Sequence, residues 1–267
     1  MNRTRIAAIA LRQFYLYRGS PQRLLPMIAW VAVDIVLWGF LTRYLNSVSH
    51  AEFNFVPALL GAVLLWDFLT RVMQGVTMAF FEDVWSRNFL NLFASPIRIS
   101  EYLAGLVLTA AATSLVGLVV MLALAELAFG LSFWSFGLAL APFLVVLFVT
   151  GIALGVLATA LVLRLGPASE WLIWPIPTLV SPFAGVFYPV SVLPAWMRWI
   201  SAVLPPSYVF EGMRTIVQGG PTPWGQLTIG GLLSIAYLAG ACWTFLRIYA
   251  YVIRSGLIAR YSAESTA

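Results

Sequence analysis

Of 267 residues, 61% are hydrophobic and only 9% charged, whereas soluble domains are about a quarter charged; a water-facing exterior is excluded, and the outside must face lipid. All fifteen basic residues are arginine and no lysine is present, which excludes a Walker A phosphate loop, Schiff-base chemistry and Ser-Lys nucleophiles. One histidine, His50, and one cysteine, Cys242, exclude a His-rich metal site and an internal disulfide; the net charge of +5 lies at the edges of apolar runs, the pattern of anionic headgroup contact and not of a nucleic-acid partner.

The chain opens on a helical period. Ile6, Ile9, Ala10, Phe14 and Tyr17 share one face, Arg5 and Arg12 take the other, and Gln13 interrupts the apolar side. Residues 1–22 therefore read as an amphipathic helix lying at the membrane surface, ended by Gly19-Ser20-Pro21. Arginines interrupt this stretch too often for a signal peptide.

A bilayer core about 30 Å thick takes about 20 apolar residues as helix, and that length predicts six spans. The first, 24–44, contains Asp34; the second, 55–78, contains Asp67 and Arg71. The third occupies the 24 uncharged residues between Glu101 and Glu126, and the fourth lies in the 37 uncharged residues 127–163. A fifth begins near Trp171 and the sixth covers 227–246. Placing both termini in the cytoplasm puts eleven arginines inside and three outside, which favours N-in and C-in. Asp67 and Arg71 stand one turn apart and can pair, in a structural role or on a substrate path; Asp34 needs a partner from another helix or another subunit. Gly151 and Gly155 form a G-x-x-x-G pair, slight evidence for dimerisation.

Two segments do not read as simple spans. In 79–101, Phe81, Val84, Trp85, Phe89 and Leu92 form one helical face, with Glu82, Asp83, Ser86, Arg87 and Asn91 around the other. Asp83 and Arg87 have the favourable i,i+4 order, and Ser95-Pro96 ends the helix. This is either an interfacial linker or a helix that docks on a cytoplasmic partner. From Trp174 to Pro206 there are seven prolines, too many for one continuous helix. Pro194 to Leu204, with Arg198 between Trp196 and Trp199, reads as a short helix at the outer interface or partly re-entering.

This layout resembles the membrane permease subunit of ABC-2 type exporters along nearly the whole chain, 1–267. The resemblance is carried by the order of spans, by the stretch LNLFASPIRISEYLAG, and by FAGVFYPVSVLPAWMRWISAVLPPSYVFEGMR. It implies an all-α integral membrane protein with six transmembrane helices, an N-terminal amphipathic interface helix, a cytoplasmic coupling helix between spans 2 and 3, and proline-rich re-entrant external helices over 185–214. The coupling residues it implies are Glu82, Asp83, Arg87, Asn88, Ser95 and Pro96. The external re-entrant residues are Tyr188, Pro189, Pro194, Trp196, Arg198, Trp199 and Glu211; the intramembrane polar residues are Asp34, Asp67 and Arg71.

The resemblance further implies a permease that is not itself an enzyme and binds no cofactor. A second copy of the chain and two copies of a cytoplasmic ABC ATPase, which binds ATP and Mg, would complete a machine moving a lipid-linked or amphiphilic cargo outward across a bacterial inner membrane. The cargo classes are polysaccharide, lipid and drug. Two other classes stay open: a secondary transporter or channel working through Asp34 and Asp67, and an integral-membrane enzyme that modifies lipid.

Overall fold

The computed structural model describes residues 2–19, 25–48, 59–86, 92, 95–130 and 140–257, and every regular element among them is helical. The helices are α1 (Arg3–Gly19), α2 (Leu25–Val48), α3 (Gly61–Trp85), α4 (Ile99–Phe129) and α5 (Leu140–Leu165), then α6 (Pro175–Ala184), α7 (Ala195–Val203), α8 (Pro205–Val217) and α9 (Trp224–Arg254). Short 3-10 turns at Pro167–Leu172 and Val190–Val192 flank α6 and the stretch after it.

Among the described residues, four helices are long and apolar enough to cross a membrane: Ala29–Val48 of α2, and α4, α5 and α9 in full. Their outward faces carry exposed Val33, Leu37 and Phe40 on α2, Leu115 and Val119 on α4, and Leu232 and Trp243 on α9. In water such surfaces would drive association; against lipid tails they are at rest. α3 is the least apolar of the long helices because it is the one least exposed to lipid. It packs between α4 and α5, with 16 of its 25 residues buried, and at about 1.5 Å per residue it is about 37 Å long.

Close backbone approach holds this centre together. A Cβ on Gly151 would lie 2.8 Å from the Leu69 carbonyl oxygen, and one on Gly155 would lie 2.8 Å from that of Met73. The G-x-x-x-G pair therefore seats α5 against α3 inside one chain, which corrects its reading as a dimerisation face. On the other flank of α3, Gly75 meets the Ala110 backbone of α4.

The matched positions also give direction. Residues 151 and 155 meet 69 and 73, so α3 and α5 run parallel, whereas Asp83 near the end of α3 meets Tyr102 near the start of α4. The ends of α3 and α5 thus lie at the same end of the bundle as the start of α4. Arg164 of α5 over the Tyr251 ring brings the end of α9 there too. At the opposite end, Gly39 of α2 abuts Phe129 of α4, and Gly212 of α8 abuts Pro223 and Phe143. Chain leaving α5 must cross from one end to the other before α9 begins. It does so in pieces, α6 to α8, because prolines start α6 and α8 and Pro182 lies within α6.

The surface helix of the sequence reading is held against the bundle. α1 packs on α4 with Ile9 and Gln13 buried, and Gly105 of α4 leaves room for the Ile9 side chain. Gln13, the residue that spoiled the apolar face, donates to the Ala79 carbonyl oxygen of α3 at 3.2 Å. The bond gives its buried amide a partner.

Candidate functional site

α3 has two working faces. Leu69, Val72, Met73 and Val76 are buried along the side that meets α5. Trp66, Asp67, Thr70, Arg71, Gln74 and Glu82 recur at spacings of three, four and eight and form a polar stripe on another face. From Trp66 to Glu82 this stripe climbs about 24 Å, most of a bilayer core.

The stripe is the floor of a groove with two chambers. The larger has a volume of about 560 Å³ and is lined by Asp67, Arg71, Gln74 and Glu82 of α3, with Gln13 and Tyr17 of α1 and Trp30 and Asp34 of α2. α4 adds Thr113 and Ser114, and Trp85 and Trp174 stand at its edge. The smaller, about 280 Å³, continues past Asp34, Asp67, Thr70 and Gln74 to Trp38, Trp66 and Phe187. Shared residues make the two chambers one path along α3. Its upper wall is fixed by Trp38 stacked on Phe187, ring centroids 5.3 Å apart.

The three intramembrane polar residues singled out from sequence all face this path. Arg71 Nε donates to Asp67 Oδ2 at 2.7 Å, the expected one-turn pair. Asp34 of α2 lines both chambers beside that pair. Ser114, which sequence reading passed over, is 2% exposed and its Oγ has no hydrogen-bond partner. A lone serine in a long apolar helix gives no signal of this kind.

The proposed coupling residues separate. Asp83 is 1% exposed and is enclosed by this chain: it is ion-paired to Arg12 of α1 and accepts a 2.7 Å hydrogen bond from the Tyr102 hydroxyl of α4. This corrects its assignment to a partner-facing surface; a buried carboxylate needs such partners. Glu82 turns to the groove. α3 also runs unbroken to Trp85, so both acids belong to a long helix and not to a separate short one. Arg87 and Asn88 lie outside the described residues. Ser95 and Pro96 occupy a turn before α4, with Pro96 exposed and the Ser95 hydroxyl bonded to the Leu92 carbonyl.

The same end carries a second carboxylate clamp. Glu101 is 2% exposed and accepts the Asn2 and Arg98 backbone N–H groups at 2.8 and 3.1 Å, while Arg5 pairs with it at 3.3 Å. Together the two acids pin α1 to the starts and ends of its neighbours. The partners from α1 lie 96 to 99 residues from Glu101 and 71 from Asp83, beyond the reach of any periodicity argument.

At the other end the proline-rich segment is latched. Gly185 ends α6 with φ 64, a conformation that suits glycine. Glu211 of α8 accepts the Val190 N–H at 2.7 Å and pairs with Arg214 at 2.9 Å. Arg214 donates onward to the Gly185 carbonyl, and to that of Val186 at 3.0 Å. Tyr188 donates to the Pro182 carbonyl at 2.9 Å, and Pro189 and Pro194 cap the helical pieces on either side. Trp196, Arg198 and Trp199 are exposed on α7. Sequence reading named Glu211 and missed the Arg214 clamp that gives it a purpose.

A lipid-facing helical bundle with a groove of mixed polar and aromatic lining beside its central helix has the build of a membrane permease. The family model for ABC-2 type transporters matches residues 4–217, and the chain belongs to that family. No curated protein matches the chain at a significant level.

Proposed function

We propose that the protein is the membrane subunit of an ATP-driven exporter, and that the groove along α3 carries an amphiphilic substrate outward across the cytoplasmic membrane. The observation that carries this reading is the stripe from Trp66 to Glu82, which lines a groove over most of the depth of a bilayer core with polar side chains and tryptophans. A substrate with an apolar body and a polar group finds both kinds of contact there.

In this reading the chain crosses the bilayer six times: by α2, α3, α4, α5, the broken segment α6 to α8, and α9. The arginine-rich end, with Arg5, Arg12, Arg98, Arg164 and Arg254, is cytoplasmic by the bias of basic residues toward that side. Two copies associate, and two cytoplasmic ATPases bind beneath them at the 87–96 segment and the exposed turn at Pro96. α1 ties this end to α3 through Arg12 and Asp83, so a displacement beneath the bundle reaches the helix that lines the groove. Hydrolysis takes place on the partner, and this chain supplies the path and the linkage.

The reading is tested by purifying the tagged chain in mild detergent after co-expression with a candidate ABC ATPase subunit. We expect a stable assembly of two copies of each, with hydrolysis only when both are present. Full hydrolysis by the chain alone, or repeated recovery of the chain without any ATPase, overturns it.

A further inference from the structure

The large chamber is chemically lopsided. Among its described lining residues, Asp34 and Asp67 face each other across α2 and α3, and the guanidinium between them, Arg71, is paired with Asp67. The remaining lining from α1 and α4 is uncharged: Gln13 and Tyr17, and Thr113 and Ser114. Tryptophans 30, 85 and 174 stand around the same space, and their ring faces attract cations.

Two further facts separate this site from an ordinary cluster of acids. The volume, about 560 Å³, falls in the range of pockets that enclose a compact organic ligand. The Ser114 hydroxyl is 2% exposed, borders the chamber and is bonded to none of the described residues. A buried hydroxyl without a partner is costly, and a ligand in the chamber is positioned to provide one.

The geometry points to an organic cation with a compact apolar body as the ligand of this chamber, its charge facing Asp34 and its body against the tryptophans. The inference rests on the groove being the substrate path, and it narrows the cargo. A phosphate-bearing lipid or polymer would bring negative charge to a space that already holds an excess of it, which disfavours that class.

Tetraphenylphosphonium and tetraphenylborate share a shape and differ in sign, so they isolate the charge. The full chain in nanodiscs of phosphatidylcholine is dialysed to equilibrium against each ion, with empty discs subtracted. We expect saturable binding of the phosphonium, at least about tenfold tighter than the borate, the order expected for a partly desolvated charge contact. Asp34→Asn should weaken phosphonium binding about tenfold by the same reasoning and leave the borate unchanged. Asp67→Asn, which removes a carboxylate from the chamber while keeping the Arg71 cation, should shift preference toward the borate. Thr228→Ala, on the exposed side of α9, should alter neither, and matching elution profiles show that each variant is folded.

Equal affinities, tighter borate binding, an unaffected Asp34→Asn, or no saturable binding of either ion because a second copy fills the groove would each overturn the inference. No ATPase or nucleotide is present in the assay. A negative result here therefore leaves the exporter assembly standing, and a failed ATPase assembly leaves a measured cation site standing.

Discussion

Asp83 is the residue on which the cytoplasmic end depends. Its carboxylate is removed from solvent and held by the Arg12 guanidinium and the Tyr102 hydroxyl, so three helices meet on one side chain. Removing the cation alone is worse than removing the pair, because an uncompensated charge is then left inside. Arg12→Met should cost about 3 to 5 kcal/mol by that argument, read as a lower thermal unfolding midpoint in detergent and earlier proteolytic release of α1. Tyr102→Phe should cost about 1 to 3 kcal/mol. Adding Asp83→Asn to Arg12→Met should restore part of the loss. If Arg12→Met unfolds like the parent, α1 is held by its apolar contacts alone, and the ion pair is incidental.

At the scale of elements, much was legible because lipid imposes a simple rule on length and polarity. The long uncharged stretches became α4 and α5, the proline-rich stretch broke into α6 to α8, and Asp67 and Arg71 paired. What escaped was whatever depends on contact between distant segments. The stretch from residue 79 was read as a linker or docking helix distinct from the second span; Glu82 and Asp83 instead keep their place in a continuous helix, one facing the groove and the other meeting Arg12. Gly151 and Gly155 announced close packing without naming a partner, and that partner is α3. The pair permits a test: Gly151→Val must push against the Leu69 carbonyl and Val72, and overpacking of this kind costs about 1 to 3 kcal/mol. Gly240→Val, where nothing lies within 4 Å of the added Cβ, is the control. The expected outcome is a lowered unfolding midpoint for Gly151→Val only, with the stoichiometry of the chain unchanged. A variant of normal stability that no longer self-associates would return the glycines to the dimer interface.

For the whole molecule, one arrangement links the arginine-rich end, the groove and the latched segment. α1 and the turn at Pro96 sit at one end, and the Gly185–Val190 turn held by Glu211 and Arg214 lies beyond the middle of the crossing toward the other. The groove runs between them along α3, from Glu82 to Phe187. If the arginine-rich end is cytoplasmic, the exposed residues after the latch face outward. Val186 and Ser201 are each 1% exposed and are poor labelling positions despite their place in the segment. Ser191 is exposed and Val192 is 71% exposed, and Pro96 is exposed at the opposite end. In a Cys242→Ser background, Ser191→Cys and Val192→Cys should react in intact cells with a membrane-impermeant maleimide. Pro96→Cys should react only after the membrane is opened. Breaking the latch with Arg214→Met frees the Gly185 and Val186 carbonyls, and should raise labelling of a cysteine at Val186 severalfold without changing the side from which it is reached. The reverse pattern, with Pro96→Cys labelled in intact cells and the other two protected, would invert the molecule in the membrane and with it the direction of transport.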